Sequence, residues 1–172
     1  MVEIRPIRCE DWRQLRAVRL RALADAPQAF GSTLAREEQF ADDVWIARAQ
    51  RSAAGETACT FVAVLDDQFH GLAGVFLSEQ DLTLAEFVSF WVDPAHRCQG
   101  IGLRLMRAAE QWARDAGAGR LELWVTQNNA AAGSLYERTG FSDTGRRQPL
   151  PSHPWLQEML MAKQLTAQGA VS

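Results

Sequence analysis

Lysine is almost missing: Lys163 is the only one in 172 residues, so nearly all the positive charge is arginine. With the abundant alanine, that reads as genomic base composition and not as function. Cysteine is limited to Cys9, Cys59 and Cys98, few, odd in number and far apart. No disulfide framework is expected, and reduced thiols fit a cytoplasmic setting. The three histidines, His70, His96 and His153, lack metal-ligand spacing among themselves or with the cysteines, so no metal is expected. No apolar run approaches the ~20 residues that span a bilayer, and Met1–Arg5 has no apolar run behind it. Neither a membrane segment nor a secretory leader is expected. The net charge of −3 gives no support for a nucleic-acid partner.

What is present is ordinary for a globular chain: 47% hydrophobic and 23% charged residues. The length suits one domain over residues 1–165, with a polar, frayed tail at 166–172. Val2 to Arg8 alternates apolar and polar as a first strand. Asp11 is a candidate N-cap for an amphipathic helix to Asp25, built on Trp12, Leu15, Val18, Leu20 and Leu23. Ser32 or Thr33 can cap a second helix through Ile46, whose carboxylates (Glu37, Glu38, Asp42, Asp43) read as a solvated face, the alternative being that one of them meets a cationic substrate. Ser52–Glu56 is a small-residue loop. Thr60–Leu65 and Gly71–Leu77, joined by Asp66-Asp67, form a hairpin. A strand follows to Val92–Asp93, then a helix to Gly117. Leu121–Val125 is a strand, a short alanine-rich helix runs from Asn129 to Gly140, and strands begin at Phe141 and Trp155. The three prolines between Arg146 and Pro154 predict a loop. The order β-α-α-β-β-β-α-β-α-β-β calls for a mixed sheet with helices on its faces, an α/β class.

One stretch carries chemistry. Glu86–Val92 is apolar and β-branched, and Pro94 ends it because proline cannot donate to a ladder. Gly100 and Gly102 then lead directly into Leu103-Arg104-Leu105-Met106. Strand, tight loop and helix start leave unpaired N–H groups at the positive end of a helix dipole, which favours phosphate. A Walker loop is excluded, since no lysine lies near. A dinucleotide fingerprint lacks its third glycine, Leu105 standing in that place. Glycines that merely permit a tight turn explain less well the arginine three residues before Gly100.

Arg97-Cys98-Gln99-Gly100-Ile101-Gly102 resembles the Arg/Gln-x-x-Gly-x-Gly/Ala signature of the GNAT superfamily of acetyl-CoA-dependent N-acetyltransferases. Val92-Asp93-Pro94 is similar to the family's Val-x-Pro. Asn129-x-x-Ala132-x-x-Leu135-Tyr136 with Gly140-Phe141 is similar to its downstream segment. The resemblance is close over residues 84–142. It implies a mixed, mostly antiparallel twisted sheet of about seven strands, with helices on both faces and strands 4 and 5 splayed to hold CoA. The pantetheine arm would lie along Phe90, Trp91 and Val92, and the pyrophosphate on the loop Arg97, Cys98, Gln99, Gly100, Ile101, Gly102 and Leu103. Tyr136 would protonate the leaving thiolate, and its rival reading is an ordinary packed aromatic. Asn129 either caps the short helix or holds the pantetheine amide. Glu86, placed by strand alternation on one face with Val88, Phe90 and Val92, is the candidate base, or else a strand-edge charge facing solvent. Glu122, Glu158 and His153 are rivals for that role. Val92 N–H is the expected oxyanion donor. Trp91 and Trp124 either line the wedge or pack within the sheet. Segment Phe30–Phe40 and the Arg146–Pro154 loop would shape an acceptor pocket for an amine. The implied function is N-acetyl transfer from acetyl-CoA to a primary amine, by a chain that can be a homodimer. The alternative is a catalytically weak acyl-CoA-binding regulatory module.

Cys98 departs from the family, which commonly has glycine or a basic residue there. Its thiol, on the expected pyrophosphate loop, is expected to attack oxidised CoA, forming a protein–CoA disulfide and releasing one CoA thiolate. Intact mass spectrometry checks this: one CoA adduct on the native chain and none on Cys98→Ser.

Overall fold

The computed structural model describes residues 1–165; the expected frayed tail lies outside the described residues. Strands β1 (Glu3–Pro6), β2 (Ala58–Leu65), β3 (Gln68–Leu77), β4 (Leu84–Val92), β5 (Arg120–Thr126), β6 (Ser142–Leu150) and β7 (His153–Gln164) form one sheet in the order β1-β2-β3-β4-β5-β7-β6. Every neighbouring pair is antiparallel except β4–β5. This is the mixed, mostly antiparallel sheet that the resemblance implied. The β2–β3 turn is tight because Asp66 and Asp67 both take positive φ, 49° and 60°, the twist a two-residue hairpin needs.

Helices cover both faces. Helix α1 (Trp12–Asp25) and helix α3 (Asp42–Ala54) bury Leu15, Val18, Leu23 and Trp45 against Val62, Leu72 and Trp91 on one side. Helix α4 (Ile101–Asp115) buries Ile101, Leu105, Met106, Ala109 and Ala113 on the other, against Phe61, Val75, Phe87 and Leu123. Tyr136, from α5 (Ala130–Arg138), and Phe141 join that second core. Among the described residues, no helix is long and apolar enough to cross a membrane.

Two features of β4 set up everything that follows. Its parallel pairing with β5 covers only Leu84–Arg120, Ala85–Leu121 and Glu86–Glu122, and beyond Glu86 the two strands part. Against β3, the pairs Gly74–Val88 and Leu72–Trp91 leave Ala73 opposite both Ser89 and Phe90. That is a β-bulge, with Ser89 at φ 56°. The extra residue resets the period-2 alternation. Ala85 and Phe87 lie in the α4-side core, Trp91 in the α1-side core, and Phe90 and Val92 again pack on the α4 side. Glu86 therefore does not share a face with Phe90 and Val92, as unbroken alternation predicts. The bulge puts it and Val88 on the side of Trp91.

Other expectations are corrected by local physics. The second helix is two: α2 (Leu34–Glu37), capped by Thr33 accepting from Arg36 N–H at 3.2 Å, and α3, which continues through Ser52 to Ala54. Glu37 is not on a solvated face but 1% exposed. Asp11 makes no side-chain cap to α1. Its carboxylate instead accepts from Arg8 N–H at 2.8 Å and pairs with Arg5 at 2.7 Å. The proline-rich loop is mostly β-ladder, with Gln148 and Pro149 paired to Glu158 and Gln157, on an edge strand where a missing donor is tolerated.

Gly74 lies where the bulge closes on β3: a Cβ there would sit 3.0 Å from Val88 Cγ2 and 3.4 Å from Val88 O. Gly74→Ala is expected to destabilise the fold by about 1–3 kcal/mol, measured by urea unfolding. Gly119→Ala is the control: a Cβ at Gly119 meets nothing within 4 Å, and its effect stays within about 0.5 kcal/mol.

Candidate functional site

The parting of β4 from β5 opens a cleft of about 650 Å³. Phe90, Trp91 and Val92 line one wall and Val125 and Thr126 the other, with the loop from Arg97 and residues Asn129 and Tyr136 around them. The β4 main chain faces into it. Asp93 N–H donates to His70 O at 2.8 Å and Val92 is the next residue in the register. Ladder alternation therefore turns Val92 N–H away from β3, toward the space β5 has left.

At the mouth of the cleft lies the glycine loop. Cys98 (φ 60°) and Gly100 (φ 77°) are both left-handed, and the first bond of the helix is from Arg104 N–H to Gly100 O at 3.1 Å. Among the described residues, none of the backbone N–H groups from Cys98 to Leu103 has an acceptor. Six successive donors at the positive end of a four-turn helix form an anion cradle. Gly102 lets that helix end approach β4: a Cβ there would meet Phe90 Cζ at 3.0 Å. Arg97 differs from the expectation in its main chain, whose N–H donates to Pro94 O at 3.4 Å. Its side chain folds back, Nε donating to Val92 O at 2.9 Å and the guanidinium pairing with Asp25 at the end of α1. The loop offers its main chain to an anion, not this charge.

Tyr136 is buried among Phe87, Phe90 and Phe141, all in tilted or edge contacts of 5.8–6.4 Å. It lines the cleft, and burial pushes its phenol above the ordinary value, so it stays protonated at neutral pH. Asn129 does cap α5, its Oδ1 accepting from Ala132 N–H at 3.3 Å. The amide oxygen is thus committed, and Asn129 also lines the cleft.

A second cleft, of about 480 Å³, continues from the first through Phe87, Val88, Ser89, Leu123 and Trp124, which line both. Its character is acidic. Glu86 and Glu122 stand side by side as a register pair, and Glu158 joins them. Burial first, then the neighbouring Glu122 charge, push Glu86 above the usual carboxyl range. Burial likewise raises Glu158, partly offset by the hydrogen bond from Gln148 at 2.8 Å. Glu122 has a cation beside it, Arg120 at 2.7 Å. Phe30, Gly31, Ser32 and two arginines, Arg19 and Arg146, also line it, so only the ends of the two expected acceptor segments reach this cleft. Ser152 ties the β6–β7 turn to Phe30 O. His153 lines neither cleft; it packs against Trp155 and meets Ser152 Oγ at 2.9 Å. Trp91 is buried, donating Nε1–H to Asp25 at 2.8 Å, while Trp124 borders both clefts.

Sequence reading missed three residues at the junction. Ser89 is an unremarkable polar residue in a strand, and nothing local announces a bulge. Arg19 and Glu37 lie in segments read as helix surface. Only the helix break at Phe40-Ala41 could have shown that Glu37 does not share α3's outer face.

Residues 15–141 match the acetyltransferase (GNAT) family. Over 89 residues the chain is 46% identical to streptothricin acetyltransferase of Streptomyces lavendulae, covering 50% of this chain and 46% of that protein. It is similar to the crystal structure of nourseothricin acetyltransferase, at 31% identity and TM-score 0.58, over 64% of this chain and 66% of that one. A Salmonella typhimurium protein solved with acetyl-CoA shares the fold, with TM-score 0.80 at 20% identity, over 100% of this chain and 98% of that one. The chain spans less than half the length of the curated relatives it matches.

Glu86 gives a signed test of the site's electrostatics. A carboxyl raised in the folded state is destabilising when ionised: the cost is absent where both states are protonated and appears as pH rises through the folded value. Glu86→Gln is therefore expected to raise Tm at pH 7, and the gain should vanish below about pH 4. Differential scanning calorimetry across pH reads both.

Proposed function

Because this chain belongs to the acetyltransferase (GNAT) family, we propose that it transfers an acetyl group from acetyl-CoA directly to a primary amine. The observation that carries the reading is the meeting of two unlike clefts at the bulge of β4. One ends in a cradle of backbone donors; the other is lined by carboxylates. A long anionic donor and a cationic acceptor would enter from opposite sides and meet at Phe87–Ser89.

Acetyl-CoA supplies an activated acyl thioester. The N–H groups from Cys98 to Leu103 fit its pyrophosphate, and the pantetheine arm would run beside β4 from Phe90 to Val92, where Val92 N–H faces away from β3. The Asn129 amide nitrogen adds a donor on the facing side. Val92 N–H is the donor we assign to the carbonyl oxygen as it gains charge. An alkyl ammonium with pKa about 10 must lose a proton before it attacks. Glu86, raised toward neutrality and beside the junction, is our candidate to take it through water, with Glu122 and Glu158 as alternatives on the same cleft. When the C–S bond breaks, the buried Tyr136 hydroxyl gives its proton to sulfur, and the second proton shed by the attacking nitrogen restores it. Nitrogen gains the acetyl group, and CoA leaves as the thiol.

Three carboxylates against two arginines around one cleft favour an acceptor of cationic character, and the chain is similar to streptothricin acetyltransferase. Streptothricin therefore heads the acceptor panel. The free thiols of Cys9, Cys59 and Cys98 support a reducing, cytoplasmic setting as part of this reading.

The test is release of free CoA thiol from acetyl-CoA across a panel of amines. Amine-stimulated release is expected for the native chain, and Tyr136→Phe should lower kcat about 10²- to 10⁴-fold with CoA affinity little changed. Tight acetyl-CoA binding with no stimulated release by any amine would instead leave the acyl-CoA-binding module.

A further inference from the structure

Arg19 and Glu37 sit outside the donor cleft, yet they converge on the point where the two clefts meet. Glu37 is among the most buried charges in the protein, at 1% exposed. Burial pushes its carboxyl up, but Arg19 and Arg48 outweigh that and hold it below the usual range. Arg19 grips it with two parallel bonds, Nη2 to Oε1 at 2.9 Å and Nε to Oε2 at 3.1 Å. Arg48 adds a third contact, at 3.2 Å. The Arg19 guanidinium also lies 4.7 Å from the centre of the Phe30 ring. A fork held on one edge and one face has a fixed direction. Its remaining corner, Nη1, donates to Ser89 Oγ at 3.1 Å.

Ser89 is the residue that makes the bulge, at φ 56°. A side-chain-bearing residue is strained there and persists only where its surroundings determine it. Among the described residues, Arg19 is the sole hydrogen-bond partner of the Ser89 hydroxyl. Gly74 opposite leaves the room, and Arg19 supplies the hold. The bulge in turn decides which way the β4 main chain faces from Phe90 onward.

We propose that Arg19, clamped by Glu37, is a positioning residue for acyl transfer: it pins Ser89 and so fixes the β4 main chain against the reacting carbonyl. This rests on the acetyltransferase reading. The clamp comes from α1 and α2, on the acceptor side of the sheet, while the anion cradle is built by the loop before α4. Loss of the clamp should therefore lower kcat without loosening CoA.

The experiment is a double-mutant cycle of Arg19→Gln and Ser89→Ala, read by kcat, by CoA affinity from calorimetry, and by amide hydrogen exchange. Each single variant is expected to lower kcat at least about 10-fold, and the double variant no further than the worse single one. CoA affinity should stay within about two-fold, and exchange should quicken at Ser89–Trp91 but not in α4. Ser89→Ala leaves the Arg19–Glu37 pair intact, so it decides the matter if Arg19→Gln fails to fold. Unchanged kcat in Ser89→Ala, additive effects, or CoA affinity falling in step with kcat would overturn the proposal. If the native chain acetylates no amine, the reading of function fails separately. Exchange at Ser89–Trp91 still judges the clamp then: unchanged rates in Ser89→Ala overturn it.

Discussion

The structure depends on two strands that start as partners and then separate. Parallel strands pair through evenly spaced slanted bonds, and β4 and β5 make such pairs only from Leu84 to Glu86. Past that point each strand keeps its other neighbour, β3 or β7, so the sheet stays whole while its centre opens. The opening leaves main-chain donors of β4 facing a cleft, a condition a buried strand tolerates only where something else can satisfy them. The cleft is thus a consequence of sheet topology, and α4 and α5 close around it.

Charge is divided between the two sides of that opening. On the α4 side no cationic side chain is needed to favour an anion: Cys98 and Gly100 are left-handed, the N–H groups from Cys98 to Leu103 have no acceptor among the described residues, and the helix dipole adds to them. On the α1 side, carboxylates gather at Glu86, Glu122 and Glu158, and burial with too few cations raises two of them. Glu37 lies just behind with the opposite outcome, because two arginines reach it. The same residue type therefore serves as a candidate base in one place and as an anchor for an arginine in another. The number of guanidinium neighbours is the difference.

Local sequence was a good guide where the cause is local. The Gly100-x-Gly102 loop, the strand end before Pro94, the Asp66-Asp67 hairpin and the cap at Asn129 all rest on a few adjacent residues, and each is found where expected. It was a poor guide where the cause is distant. The prolines of 146–154 suggested a loop, yet an edge strand with β7 beside it accepts them. A cap at Ser32 or Thr33 suggested one helix through Ile46, yet the helix breaks between Glu37 and Asp42, and Glu37 is buried against Arg19. Strand alternation placed Glu86 with Phe90 and Val92, and one inserted residue reversed it.

The sequence by itself determined the succession of strands, the glycine loop before α4 and the presence of Tyr136 and Asn129 beside it. These follow from backbone conformations that glycine, proline and capping residues impose on their own neighbours. Only the tertiary structure decided which face Glu86 takes, that Arg97 turns toward Asp25, and that Ser89 is held by an arginine 70 positions away. Each of those depends on contacts between segments remote in the chain, and no periodicity records where such segments will meet.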